Sequence, residues 1–310
     1  MNAVTFLLGY AFALTWLAPL PLSSPMTSGI PPRLSVTGWL VTVATAVLAW
    51  IAALTILVIG AVHSLITDAA LTFCVETLGI TNAVMLPSAV ATALVMALLA
   101  LTAGVAIHTA RRVIVTMLNI RRSNHDHAEA VQIIGRPTDY DGVVAITADR
   151  PAAYCVSGGG RSAVVVTTAT LEMLDEAGLA AVLAHERAHL HGRHHHIIAV
   201  LNALAAALPR LPLLRAAAHS VPALLEMCAD DAATRTHGRE PLLASLIALG
   251  TQHRLPDGAL AAAGTAIVDR ALRLTQPPHQ SWWRPRTLST TLAVFATLTT
   301  PVLALALCTL

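Results

Sequence analysis

The hydrophobic positions of this chain fall into long unbroken blocks near its two ends and into short periodic runs between them. Segments near residues 3–22, 38–62, 85–110 and 288–308 are mainly apolar over about 20 residues or more, the length a helix needs to cross a bilayer core. No basic region and no small-residue cleavage pattern accompany the first segment, so it reads as a retained span and not as a signal sequence. Charges respect the same division: before Arg111 only Arg33, Asp68 and Glu76 are charged, and most other charges lie between 111 and 286. The expected organisation is residues 1–112 with three membrane helices and short loops, residues 113–287 as a polar domain, and residues 288–310 as a last membrane helix.

Arginine placement sets the expected orientation. Arg111, Arg112, Arg121 and Arg122 follow the third apolar block, and Arg284 and Arg286 precede the fourth, whereas the loop at 63–84 carries Asp68 and Glu76 and no arginine. The polar domain is therefore expected on the cytoplasmic side of the plasma membrane, with the 63–84 loop and both termini outside.

Inside the polar domain the periodicity changes twice. Asn124–His127 reads as a linker leaving the membrane. Val131–Ile134, Val143–Thr147, Ala152–Val156 and Ala163–Thr167 then read as short strands, separated by turn signals at Gly135-Arg-Pro, Asp149-Arg-Pro and Gly158–Gly160. After Thr170 the spacing becomes helical. Asp175 is placed to cap a helix that runs either through Leu190 or on to Leu208, ahead of Pro209. A second helix is expected from Pro222 to about Gly238, because proline suits the first helical turn. The apolar stretch Ile197–Leu208 is too short to span a membrane and reads either as core or as a membrane-facing surface.

Composition sharpens this picture. The 310 residues are 55% hydrophobic and only 12% charged, about half the charged share of an ordinary soluble domain. A net charge of +2 gives no reason to expect direct nucleic-acid binding. The four cysteines (Cys74, Cys155, Cys228 and Cys308) are scattered and form no CxxC pair, so they make neither a disulfide framework nor a cysteine metal site.

The candidate chemistry lies at His185-Glu-Arg-Ala-His189. Residues four apart lie on one helix face, so both imidazoles can reach one ion, while Glu186, one residue round, is placed to take a proton from water. From 14 His and 7 Glu in 310 residues, chance would produce the pattern roughly 0.01 times. About forty residues on, Glu226-Met-Cys-Ala-Asp230 again sets two side chains on one face. Glu226 is placed to complete a His₂Glu zinc site, and Asp230 to accept a hydrogen bond from the outer nitrogen of a ligand histidine. Asp231 reads as solvated. His191 and His194–His196 read either as a polar helix face or as a second metal site.

With these residues in place the chain resembles the BlaR-type membrane zinc metallopeptidases, relatives of the HtpX and CAAX-prenyl-protease gluzincins, and in its compact four-span form the actinobacterial members. The resemblance rests on the order of spans, on Ala180–His194 and on Glu226–Asp231. It implies a membrane α-helical protein with four spans and a cytoplasmic α+β gluzincin-like domain. One Zn²⁺ per chain would be held by His185, His189 and Glu226, with Glu186 as the general base. Pro151–Gly158 followed by Ala163–Thr167 is similar to the strand pair that precedes the active-site helix, and Ala153, Tyr154 and Cys155 are the expected substrate strand. The resemblance also implies a protein or peptide substrate, such as a winged-helix repressor of the BlaI type, and contact with membrane lipid. Its larger members carry a β-lactam sensor domain after the last span, and the expectation here is a form without it.

CAAX-type and HtpX-type relatives carry a His-Pro about six residues before an arginine. Here Gly264-Thr265 precede Arg270, which leaves Tyr154, His219, His237 and His253 as candidates for stabilising the transition state. The expected activity is regulatory endopeptidase chemistry, hydrolysis of peptide bonds by a zinc-activated water. A zinc-binding membrane transducer with little or no peptidase activity is the other reading. The spans carry no ionisable side chain in their central portions, which argues against a metal transporter.

Overall fold

The computed structural model describes residues 3–23, 30–66, 88–158, 161–251, 260–275 and 285–308. Most of the 63–84 loop, Arg284 and His253 lie outside the described residues. The chain divides into two compact units, one of residues 1–114, 201–220 and 282–310, the other of residues 115–200 and 221–281.

In the first unit the apolar blocks are helices: α1 (Ala3–Leu17), α2 (Pro19–Ser23), α3 (Pro32–Ile66), the first part of α4 (Ser88–Ile134) and α11 (Pro285–Cys308). Three stretches, Val4–Ser23, Pro32–His63 and Thr92–Ile134, are long and apolar enough to cross a membrane by length and composition. The helix α11 covers the fourth expected segment. Leu7 and Ala11 of α1 are buried against Ala49 and Ala53 of α3, where small side chains let the helix backbones approach. Polar groups are satisfied inside this packing: Trp50 Nε1 donates to Thr15 Oγ1 at 3.1 Å, and Tyr10 Oη donates to the Thr297 carbonyl at 2.7 Å. Outward-facing Phe12, Ile51, Ile59, Leu101 and Ile107 are exposed. That surface is suited to lipid and not to water.

The second unit is built on a four-stranded sheet of β1 (Arg136–Pro137), β2 (Val143–Ile146), β3 (Ala153–Gly158) and β4 (Arg161–Thr167), in the order β1-β2-β4-β3. The pair β2/β4 is parallel, with Val144 opposite Val165, and β3/β4 is antiparallel, with Cys155 opposite Val164. Alternation along β4 sends side chains to both faces. Val164 and Val166 meet Leu179 and Leu183 on one side, and Val165 meets Ala128 and Val131 of α4 on the other. Both faces are covered by helix, which is why β4 reads as an unbroken Val run.

This arrangement corrects two sequence expectations. Asn124–His127 is not a linker and Val131–Ile134 is not a strand, for α4 continues as helix to Ile134. Ala128 and Val131, three apart, are the residues that face the sheet. A four-residue apolar run cannot by itself distinguish a strand from the last turn of a buried helix.

After the sheet come α5 (Thr168–Met173), α6 (Glu176–His191), α7 (His194–Ala207), α8 (Pro212–His237), α9 (Arg239–Thr251) and α10 (Leu260–Thr275). The start of α6 follows the expected cap: Asp175 Oδ1 accepts from the Gly178 N–H at 2.8 Å. Its end falls at the nearer of the two expected limits, just past Leu190. The helix stops at His191, and Arg193 takes a left-handed φ of 49° before α7 begins. The expected start of the next helix at Pro222 is also corrected. It begins ten residues earlier at Pro212, which takes the N-terminal role, and Pro222 lies inside it. Gly238, at φ 82°, ends it as expected.

Candidate active site

Helix α6 lies across the sheet with its apolar face, Leu179 and Leu183, against β4, and this fixes the direction of its C-terminal half. His185 and His189 then emerge on one face, one turn apart. Their Nε2 atoms stand 3.2 Å from each other. From α8, Glu226 places Oε2 3.4 Å from His185 Nε2 and Oε1 3.3 Å from His189 Nε2. One ligand atom from each of the three lies within 4.8 Å of the others. Donors around a single tetrahedral zinc at about 2.0–2.1 Å are about 3.4 Å apart, so these separations fit one ion without rearrangement.

The electrostatics point the same way. Glu186, Glu226 and Asp230 are set against a single guanidinium, Arg270 of α10. Its Nε and Nη2 donate to Asp230 at 2.9 and 2.7 Å, and its Nη1 lies 3.0 Å from Glu226 Oε2. Burial lowers the His185 ring, but Asp230 and Glu226 hold it up at about 9, so without a metal it shares the balancing with Arg270. With His185 neutral, as a metal ligand is, three ionised carboxylates face one arginine, a deficit of two positive charges that one divalent cation cancels. Burial alone would raise the Asp230 carboxyl, but the Arg270 and His185 contacts outweigh it and hold the group down at about 2. Asp230 Oδ1 also lies 3.0 Å from His185 Nδ1. Asp230 thus stands behind a ligand histidine, where its i+4 spacing from Glu226 suggested.

Burial, reinforced by Glu226, pushes the Glu186 carboxyl up to about 7, while His185, Arg270 and the Cys155 N–H oppose the rise. A carboxyl near 7 can both accept and return a proton at neutral pH. His189 is pulled down to about 4, chiefly by burial, so its ring is neutral and can offer a lone pair.

His185, Glu186, His189, Glu226 and Arg270 line one cleft of about 530 Å³, together with Ala153, Tyr154 and Cys155 of β3. Val182, Ile198, Leu242, Leu246 and Ile267 supply an apolar wall to the same cleft. β3 is the last strand of the sheet. Thr167 N–H donates to the Ala152 carbonyl, so by antiparallel alternation Tyr154 and Val156 bond inward to β4. Ala153 and Cys155 then turn their backbone groups to the open edge. The Cys155 N–H bond to Glu186 agrees with that register.

Among the four candidates for transition-state stabilisation, Tyr154 lines the cleft. His237 is exposed at the end of α8, about 16 Å along the helix from Glu226, and His219 belongs to the other unit. Asp231 pairs with Arg273 at 2.6 Å, away from the triad. His191 is turned outward, bonded to the Arg187 carbonyl. Among the described residues the only cluster able to hold a metal is His185, His189 and Glu226. The reading of His194–His196 as a second metal site has no such cluster behind it.

The sequence names two further residues without revealing their roles. Arg270 stands out in the sequence only by its position after Gly264-Thr265, although three clustered carboxylates signal a need for a cation. His194 lies against His189, signalled only by the Gly192-Arg193 break before it.

Fold and site together define a helical protein with a cleft, beside an edge strand, whose three clustered donors could hold a metal. Residues 116–240 match the family model described as Peptidase family M48. The match covers less than half of the chain but spans both metal motifs, and it supports a metallopeptidase, since peptidases of that family are zinc metalloproteases. Arg270 lies beyond it. No curated protein and no solved structure matches the chain.

Proposed function

We propose that the protein is an integral-membrane zinc metalloendopeptidase of regulatory type, resident in the plasma membrane with residues 113–287 on the cytoplasmic side. The observation that carries this reading is the convergence of His185, His189 and Glu226 on one point, with Glu186 beside them and the open edge of β3 in the same cleft. Zinc bound there supplies Lewis-acid polarisation of a peptide carbonyl and activation of water. The arginine arrangement at the ends of the apolar blocks supports the orientation, and the exposed apolar helices support the membrane.

An extended polypeptide adds to the edge of β3, where the backbone groups of Ala153 and the Cys155 carbonyl are the pairing partners, the Cys155 N–H being bonded to Glu186. This gives affinity from main-chain bonds that any sequence can make. Glu186, held near neutrality by burial, takes the proton from the attacking water and returns it to the leaving amine. Arg270 holds Glu226 and Asp230 in place. The apolar wall favours a bulky apolar side chain next to the scissile bond. Burying such a side chain is worth about 1.5–3 kcal/mol. A cytoplasmic repressor of winged-helix type, as in BlaR-type systems, is the partner that this reading carries forward by analogy of architecture.

The test compares wild type with Glu186→Gln, each purified in detergent, for zinc content and for cleavage of a denatured test protein. The proposal expects about one zinc in both and cleavage by wild type alone. Zinc in both with cleavage by neither turns the reading to a zinc-binding signal transducer. Equal cleavage by both sinks the role given to Glu186.

A further inference from the structure

The two ligand histidines are supported differently. His185 has a carboxylate, Asp230, behind it. Behind His189 stands another imidazole: His194 Nδ1 lies 2.9 Å from His189 Nδ1, with the rings 4.8 Å apart at 88°. His194 is buried at 8% exposure.

A continuous helix would not bring these rings together. Five residues along an α-helix amount to a rotation of about 140° and a rise of about 7.5 Å, which would carry residue 194 past His189 and round to another face. The break after α6 prevents this. Gly192 N–H still bonds to the Ala188 carbonyl at 2.9 Å and Arg193 N–H to the Leu190 carbonyl at 3.1 Å. Arg193 then reverses the chain in the left-handed region, and α7 opens with His194 folded back under His189. Gly192 is required by space: a Cβ there would stand 2.6 Å from His194 Cδ2 and closer still to its Nε2. The Gly192-Arg193-His194 sequence therefore has one spatial consequence, the seating of this ring.

We propose that His194 is the positioning residue of His189, the neutral counterpart of Asp230 behind His185. His189 turns Nε2 toward Glu226 and His185. To offer a lone pair there it carries its proton on Nδ1, and the His194 Nδ1 lone pair receives that N–H bond. His194 in turn holds its own proton on Nε2. The pair fixes both the tautomer and the ring plane of the ligand. Using an imidazole in place of a fourth carboxylate keeps the formal charge of the site within what one divalent cation balances. This inference rests on the metal-centre reading above.

The test is zinc affinity of the full-length protein in detergent, measured by competition with a chromophoric chelator, with circular dichroism confirming the helical content of each variant. His194→Ala is expected to weaken zinc binding about 10–100-fold. His194→Asn, whose Oδ1 occupies the place of the acceptor nitrogen, is expected to restore most of that loss. Gly192→Ala leaves the histidine present but takes the space of its ring, so it weakens binding by a similar factor. The double variant is expected to be no weaker than His194→Ala, because both act through one contact. Wild-type affinity in His194→Ala overturns the proposal, and so does failure of His194→Asn to recover, which would reduce His194 to packing. Absence of zinc binding by wild type is a separate result and overturns the metal-centre reading itself.

Discussion

Replacing Arg270 by Met tests whether the site is held together by charge balance. Arg270 is 15% exposed and Asp230 1% exposed, and they share two hydrogen bonds of 2.7 and 2.9 Å. Removing one partner of such a buried pair costs about 3–5 kcal/mol, because the other charge stays behind unpaired. The Arg270–Glu226 contact adds little, roughly 0–1 kcal/mol, since Glu226 is 38% exposed and screened by water. For a unit of this size the loss corresponds to a fall in Tm of roughly 6–20 °C. The assay is thermal unfolding by circular dichroism in detergent with a chelator present, so that metal does not mask the effect. Asp230→Asn with Arg270→Met removes both charges and is expected to unfold above Arg270→Met alone. The pH dependence has a definite sign. The Asp230 carboxyl sits at about 2 when folded against 3.8 as its ordinary value. Its contribution is therefore complete above about pH 4 and is lost as pH falls through about 2. The gap between wild type and Arg270→Met should persist from pH 7 down to about 4 and then shrink. A double variant whose loss equals the sum of the single losses, or a gap that does not change on acidification, would refute the clamp.

The open edge of β3 and the apolar wall make further predictions. Burial, reinforced by Glu186, raises the Cys155 thiol to about 11, so at pH 8 it is protonated and should react with iodoacetamide far more slowly than a free thiol. In a protein with the other cysteines replaced, an extended peptide substrate should slow that labelling further, and equal labelling with and without peptide would remove Cys155 from the binding edge. Gly250 faces the cleft, and a Cβ there would come 3.3 Å from Ile267 Cγ2. Gly250→Leu should therefore shift cleavage away from bulky apolar residues toward small ones, by about 10–100-fold in relative kcat/KM. Unchanged preference in a peptide-library digest would show that the wall does not contact substrate.

The metal-site pattern was legible along the chain because it depends on local periodicity. His185 and His189, or Glu226 and Asp230, share a face as soon as their segments are helical, whatever the rest of the molecule does. The same holds for the apolar blocks, whose length and composition suit them to a membrane, and for the strands expected at 143–147, 152–156 and 163–167, which lie at 143–146, 153–158 and 161–167. Where local signals were ambiguous, tertiary packing decided. The four-residue run Val131–Ile134 had no intrinsic choice between strand and helix until Ala128 and Val131 met the sheet. Proline at 222 suited a helix start and instead lies inside a helix begun at Pro212.

Three features of the site needed the fold itself. The exposed edge of β3 follows from the strand order β1-β2-β4-β3, set by long-range pairing that no single segment encodes. Arg270 meets Asp230 across forty residues because a buried cluster of carboxylates is stable only with a cation brought to it from another helix. The seat of His194 under His189 depends on a left-handed residue that breaks an otherwise helical pattern. Periodicity along one element determines which side chains share a face; charge compensation, edge position and chain reversal are properties of how faces meet, and so belong to the tertiary structure.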